Sequence, residues 1–247
     1  MLPQHTVSEL DRYKTGWRIR VKVLRKRYRY KANFIDTLQL ILCDDQGTKI
    51  HATVLKEHLR KFQDILCESE WRIITFFTVR NAIGISNVVR NNNMIEFLEG
   101  TIVDPTNYVN GDHFFCFVDF ESILRVFPLR HYLIDLIGRI IHVGDTEEVY
   151  HSGNGHYIGQ LCFTLANKSN TRIKCIAYGD KAYAIKDSLD NAVRDEIDMC
   201  ILRWWQIDII SGTDVHSYED CSEILFNPPI EEAARFRERG IDLNGGD

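Results

Sequence analysis

The sequence predicts an all-β protein with short helices, organised as two tandem five-stranded barrels. Two observations predict this: apolar and polar residues alternate in several short segments, and the order of these segments occurs twice. With 247 residues, 45% of them hydrophobic, the chain is long enough to bury two cores. No run approaches the roughly 20 apolar residues that cross a bilayer, and the start lacks an apolar signal segment, so no membrane partner is expected.

The first half of the chain carries three strands, a helix and two more strands. Residues 17–25 alternate apolar and basic side chains, which predicts a strand with one face on a core and a cationic face in solvent. The further elements predicted are strands at 37–44 and 48–54, a helix at 55–66 with apolar residues on one face, and strands at 71–79 and 94–97.

The second half repeats this order. It predicts strands at 132–143, 157–166 and 172–178, a helix at 180–194 with Tyr183, Leu189 and Val193 inward, and closing strands at 199–210 and 221–226. Five strands with a helix between the third and the fourth are the layout of the OB-fold, a Greek-key barrel that binds oligonucleotides or oligosaccharides. We therefore predict a first OB-fold at 12–103, a connector at 104–127, a second OB-fold at 128–228, and a short C-terminal helix and tail at 229–247.

Charge is distributed unevenly along the chain. The net charge is -5, with 17 Lys and Arg against 15 Asp and Glu in residues 1–123 and 13 against 20 in residues 124–247. Residues 14–31 contain nine Lys and Arg, no acid, and the rings of Trp17, Tyr28 and Tyr30. Cations interleaved with aromatic rings are typical of a surface that binds single-stranded nucleic acid. The same charge also fits a solvated strand face or a nuclear-import patch at 25–31.

Several segments resemble the large subunit of replication protein A, especially its plant forms. Residues 17–23, 40–54 and 93–97 resemble the first OB domain of that subunit that binds single-stranded DNA, and residues 133–138 and 227–233 resemble parts of the second. The resemblance implies a nuclear protein that binds single-stranded DNA with little sequence specificity in DNA replication, repair or recombination. It also implies protein partners from the DNA-maintenance machinery.

The candidate nucleic-acid-binding residues are cations of the first barrel and two aromatic residues of the second. The cations are Arg18, Arg20 and Lys22 on the first strand, Arg25, Lys26, Arg27 and Arg29 in the following loop, and Lys49. The aromatic residues are Tyr178, which matches a stacking tryptophan of the family, and Trp204. The choice between DNA and RNA stays open, because a contact to a 2′-hydroxyl depends on geometry.

An alternative function rests on two positions of the first barrel. Leu38 and Ile74 match positions at which the family stacks bases on aromatic rings, and neither has a ring. The acidic excess of the second half also repels a polyanion. These features favour an OB-fold scaffold for protein interactions that has lost most of its stacking residues.

No catalytic residue, cofactor or metal site is predicted. The sequence has no G-x-S-x-G, phosphate-binding G-x-x-x-x-G-K or H-E-x-x-H motif. Residues 151–159 contain glycines, but they lie between two strands and predict a hairpin loop rather than a dinucleotide site. The seven cysteines form no Cys-x-x-Cys pair, so we expect reduced thiols inside a cell. Because the catalytic motifs are absent, we expect a non-enzymatic protein.

Overall fold

The chain forms two compact units, Met1–Phe114 and Phe115–Asp247. The computed structural model describes residues 4–31, 34–82, 88–125, 132–151, 155–191, 197–208, 210 and 212–238. The first unit contains β1 (Arg18–Lys31), β2 (Phe34–Cys43), β3 (Lys49–Leu55), α1 (Leu59–Phe62), β4 (Trp71–Thr75), β5 (Thr78–Asn81), β6 (Asn93–Glu96) and β7 (Ile102–Pro105). The second contains α2 (Phe120–Arg125), β8 (Leu133–His151), β9 (His156–Ala166), β10 (Arg172–Tyr178), α3 (Asp180–Asn191), β11 (Cys200–Ile207), β12 (Val215–Ser217), β13 (Glu223–Phe226) and α4 (Glu231–Glu238).

A kinked strand closes the first barrel. The sheet order is β5-β6-β3-β2-β1-β4-β7, with β3 and β6 parallel. The predicted strand at 71–79 is split into β4 and β5 at Phe76, whose φ of 59° lies in the left-handed region. The bend leaves Phe76 50% exposed and turns Phe77 into the core. Because β4 and β5 lie toward opposite ends of the series of paired strands, this bend curls the sheet into a ring.

A short strand closes the second barrel. β12 pairs parallel with β10 and antiparallel with β11, so the ring runs β8-β9-β10-β12-β11 and back to β8. The predicted closing strand at 221–226 is instead β13, which lies beside β12 on the outer edge of β11. Sequence patterning did not indicate β12, because three residues are too few to show alternation.

Both units have the strand and helix order of the OB-fold, as predicted. α1 follows the third strand of the first unit, and α3 follows the third strand of the second. The predicted helix at 55–66 is shorter than expected, since a 3₁₀ turn at Lys56–His58 precedes α1. None of the described helices combines the length and the apolar character that a membrane crossing needs.

One side chain of α3 differs from the sequence expectation, while Leu189 packs against the second core as expected. Ala182 and Ile185 are the buried residues of this helix, whereas Tyr183, expected inward, is 46% exposed. The Tyr183 ring instead covers Gly159, where an added Cβ would lie 2.5 Å from it. Val193 and the predicted end of the helix lie outside the described residues.

Each barrel is filled by aliphatic and aromatic side chains from alternate strand positions. The first core includes Ile19, Val21 and Val23 of β1 together with Leu38, Leu40 and Leu42 of β2. The second core has Trp205, fully buried, with its ring edge against Phe163 at 5.8 Å and its Nε1 donating to the Glu223 carbonyl. Inward positions are therefore occupied, and the polar partners on these strands lie on the outer face of each barrel.

Phe62 of α1 tests the first core. Its side chain is fully buried and packs edge-on against Phe97 at 5.1 Å between ring centroids. Phe62→Ala should lower the free energy of unfolding by about 3–5 kcal/mol, because the cavity adds to the lost burial. The matched change Ile65→Ala removes a side chain that is 38% exposed and should cost less than about 1 kcal/mol. Urea unfolding measures both, and equal losses would contradict this core assignment.

Candidate nucleic-acid interface

The outer face of β1, β2 and β3 forms three rows of side chains, which we call the arginine face. The strand register joins Arg25, Ile41 and His51 in the first row, Arg27, Gln39 and Thr53 in the second, and Arg29, Thr37 and Leu55 in the third. The intervening residues Leu38, Leu40, Ala52 and Val54 belong to the core, so these rows point away from it. A shift in register between Val23 and Arg25 precedes the arginines.

The cations on the arginine face, and Lys26 beside it, differ in how strongly they are engaged. Arg25 is half-buried, with its Nη1 3.5 Å from Glu68, and the Lys26 ammonium donates to the Gln63 carbonyl. Arg27 is half-buried, while Arg29 is exposed near the end of β1. The end of the β1–β2 hairpin therefore carries the most accessible positive charge of this face.

The cations predicted nearer the start of β1 are less suited to contact phosphate. Arg18 is half-buried, and Arg20 forms an ion pair with Asp45 at 2.6 Å. Lys22 is 6% exposed and donates to the Asp112 carbonyl at 2.8 Å, so its place on a solvated face was wrong. Lys49 is half-buried at the start of β3, in register with Cys43.

A hydrogen-bonded floor lies beside the arginines, on β2 and β3. The Thr53 hydroxyl donates to Gln39 Oε1 at 3.3 Å, and Gln39 Nε2 donates to Thr37 Oγ1 at 2.8 Å. These three side chains are 7–8% exposed. Because their polar groups are satisfied by each other, they fix the surface from which the arginines extend.

His51 is a buried neutral base in the first row of this face. It is 4% exposed, and its Nε2 atom has no hydrogen-bond partner. Burial lowers the pKa of His51 to about 4, and the positive charges of Arg27 and Arg29 contribute to the same shift. His51 is therefore uncharged at neutral pH and adds no cation to the face.

Two exposed aromatic rings stand at the end of the β1–β2 hairpin. Tyr30 is 58% exposed and Phe34 is 69% exposed, with the Lys56 ammonium 5.6 Å from the Phe34 ring. Tyr30 was already visible in the basic run, but sequence reasoning missed Phe34. The sequence did offer a signal: Phe34 comes shortly before the predicted strand at 37–44, in which every second side chain from Leu38 onward points inward. The two rings lie beside the exposed Arg29 and Lys31.

The positions expected for stacking in the first barrel are core positions. Leu38 and Ile74 are both fully buried in the first core. Their aliphatic character is what that core requires, so the expectation that they replace stacking rings was wrong. Trp17 also packs inward at 4% exposure, with its Nε1 donating to the carbonyls of Asp11 and Lys14.

The second barrel presents one of its two predicted aromatic residues. Tyr178 is half-buried at the end of β10, with its ring edge toward His216 at 6.1 Å. Burial raises the pKa of Tyr178, so the hydroxyl stays protonated at neutral pH. Trp204 is 2% exposed at a left-handed residue that interrupts the β8–β11 register, so its assignment to the interface was wrong.

The fold and the arginine face define a tandem OB-fold protein with a cationic strand face. Residues 8–125 match the family model described as "Domain of unknown function DUF223". The chain is 23% identical to a 70 kDa DNA-binding subunit of replication protein A from Arabidopsis thaliana over 245 residues, which cover 94% of this chain and 38% of that protein. It is also 23% identical to a second 70 kDa DNA-binding subunit from the same plant over 247 residues, which cover 94% of this chain and 39% of that protein.

A solved structure agrees with the fold. A replication protein A heterotrimer bound to single-stranded DNA matches with a TM-score of 0.62 and 20% identity, over 95% of this chain and 54% of that chain. The chain is therefore similar to the large subunit of replication protein A over nearly its whole length, as the resemblance implied. It spans about two fifths of the length of these curated relatives.

The buried imidazole makes stability depend on pH. Above pH 6.5 His51 is neutral in the folded and the unfolded chain; below it, the unfolded chain binds a proton that the folded chain does not bind until about pH 4. The contribution of neutral His51 to the free energy of unfolding is therefore lost as the pH falls from 6.5 to about 4, and it amounts to about 3 kcal/mol. In urea unfolding at a series of pH values, His51→Gln should remove this part of the pH dependence. Parallel curves for the two proteins between pH 7 and 4 would contradict the assignment.

Proposed function

We propose that the chain binds single-stranded nucleic acid with little sequence preference, and that the arginine face is the main contact. We take DNA as the ligand because the relatives of the chain are named as DNA-binding subunits. The observation that carries this proposal is the set of cations on β1 beside a closed, hydrogen-bonded floor. Phosphate contacts from arginines are largely independent of base identity. Low specificity follows from a contact of that kind.

Base contacts in this proposal come from exposed rings rather than from the strand floor. Tyr30 and Phe34 are the accessible rings beside Arg29 and Lys31. A base can stack on any aromatic face, so the contribution is tolerant of sequence. In the second barrel, Tyr178 supplies a partly exposed ring and a neutral hydroxyl that can donate to a phosphate oxygen.

The alternative of a protein scaffold has lost its main support. It rested on the lack of rings at Leu38 and Ile74, and these side chains fill the first core. The relatives that span this chain are named as DNA-binding subunits. From that similarity we propose a non-enzymatic, nuclear role in DNA replication, repair or recombination, with partners from the same machinery.

Removing two arginines tests the phosphate contact. Arg27→Ala with Arg29→Ala should weaken binding of a labelled thirty-nucleotide DNA strand and reduce the slope of log affinity against log salt by about 1.4, from roughly 0.7 per contact on single strands. Fluorescence anisotropy at several salt concentrations measures both quantities. The control Arg235→Ala with Arg237→Ala removes the same charge from α4 and should leave the slope unchanged. An unaltered slope in the first variant would refute the arginine face as the contact.

Removing one ring tests the base contact. Phe34→Ala should lower affinity for the DNA strand by about 5-fold to 150-fold, which corresponds to about 1–3 kcal/mol for one stacked base. The salt slope should stay unchanged, because no charge is lost. Tyr108→Ala, which removes a ring that is 74% exposed in the segment after β7, is the matched control. Equal effects of the two changes would argue against stacking at Phe34.

A further inference from the structure

The first hairpin of each barrel extends beyond the strands that flank it. β1 pairs with β4 only over Arg18–Lys22, and β8 pairs with β11 only as far as Gly138. Beyond these points no other described strand pairs with the outer edges of β1 and β8. The segment at residues 68–70 still hydrogen-bonds to the backbone of Val23, and the Glu68 carboxylate accepts from the Lys26 amide. We call residues 25–31 with 34–36 the basic arm, and residues 140–151 with 155–159 the acidic arm.

The two arms carry opposite charge. The basic arm contains five Lys and Arg and one acid, Asp36, whereas residues 140–167 contain Asp145, Glu147 and Glu148 and no Lys or Arg. All three acids of the acidic arm are exposed, as are Arg29 and Lys31 of the basic arm. An open strand edge has unpaired backbone groups that can pair with another strand. Complementary charge favours one partner strand over others.

Each arm also ends in exposed aromatic rings. Tyr150 and Tyr157 are 60% and 66% exposed and meet edge to face at 5.5 Å between ring centroids. On the basic arm, Tyr30 and Phe34 are similarly exposed. Paired rings on a surface are the usual apolar anchors of a protein contact, and they add attraction that is independent of charge.

From these features we propose that the acidic arm is a docking surface for the basic arm of a second copy of this chain. The two open edges pair, and the exposed rings pack together. Glu147 and Glu148 lie on opposite faces of β8, so one of them faces the arginines of the partner and the other lies on the face that carries Lys26. Pairing of like arms is disfavoured, because it would place equal charges opposite each other. The contact is therefore head to tail, and one copy can engage two others.

This association is independent of the proposed function, because it requires no nucleic acid. The two activities nevertheless use the same arginines. A single strand bound to the basic arm occupies the charges that the acidic arm needs, so added DNA should dissociate the assembly. The acidic arm of one copy therefore competes with any polyanion for the basic arm of another copy.

Sedimentation velocity without nucleic acid tests the proposal. From micromolar to sub-millimolar concentration at low salt, the wild-type chain should sediment faster as concentration rises, and high salt should abolish the rise. Glu147→Lys with Glu148→Lys should weaken self-association by about tenfold or more, since like charges then oppose each other. The control Asp187→Lys with Asp190→Lys makes the same charge change on α3 and should leave association unchanged.

A mixing experiment distinguishes pairing of a basic arm with an acidic arm from pairing of like arms. Arg27→Glu with Arg29→Glu should also fail to self-associate, because the basic arm then carries no net positive charge to attract the acidic arm. Mixed with the Glu147→Lys, Glu148→Lys protein, it should form a heterocomplex, since each protein keeps one arm that complements the other. A wild-type chain that stays monomeric at low salt, or a mixture that stays monomeric, would overturn the proposal. Circular dichroism of each variant establishes that it is folded.

Discussion

Closure of each barrel is the constraint on which the outer surface depends. The parallel pairs β3 with β6 and β10 with β12 complete the two rings, so their strands have one face inside a filled core. Because successive side chains of a strand point to opposite faces, the side chains between the core residues point outward. On β1 this sends Ile19, Val21 and Val23 inward, and after the irregularity that follows Val23 it aligns Arg25, Arg27 and Arg29 on one outer face. The cationic surface is thus a consequence of how the core is filled.

The same constraint places the arginines close together in three rows whose other side chains are uncharged. These rows include Gln39, Thr37 and Thr53, whose hydrogen bonds satisfy one another. His51 in the first row stays neutral, because burial and the neighbouring arginines both oppose a further positive charge. Positive charge is therefore concentrated in long side chains that can reach a phosphate, and the side chains beside them in these rows are uncharged.

Much of the fold was predictable, because alternation of apolar and polar residues indicates a strand with one face in the core and one in solvent, as in the wall of a barrel. The alternation in residues 17–25 identified β1, and the order of elements identified the OB-fold. The prediction failed where tertiary contacts override pattern: Phe76 bends one strand into two, and β12 has too few residues to show a period. For the site, the basic run was visible in sequence. The burial of Lys22 and Trp204 was not, because it depends on a carbonyl from a distant segment and on an irregularity in strand pairing.

Hydrogen–deuterium exchange of the intact chain, with and without a saturating single strand of DNA, tests the central claim most directly. We predict slower exchange in residues 25–31 and in the β2 and β3 segments of the arginine face. Amides in the acidic arm should exchange no more slowly with DNA than without it. Saturable binding that leaves the exchange of residues 25–31 unchanged, or protection centred on the acidic arm, would contradict the account.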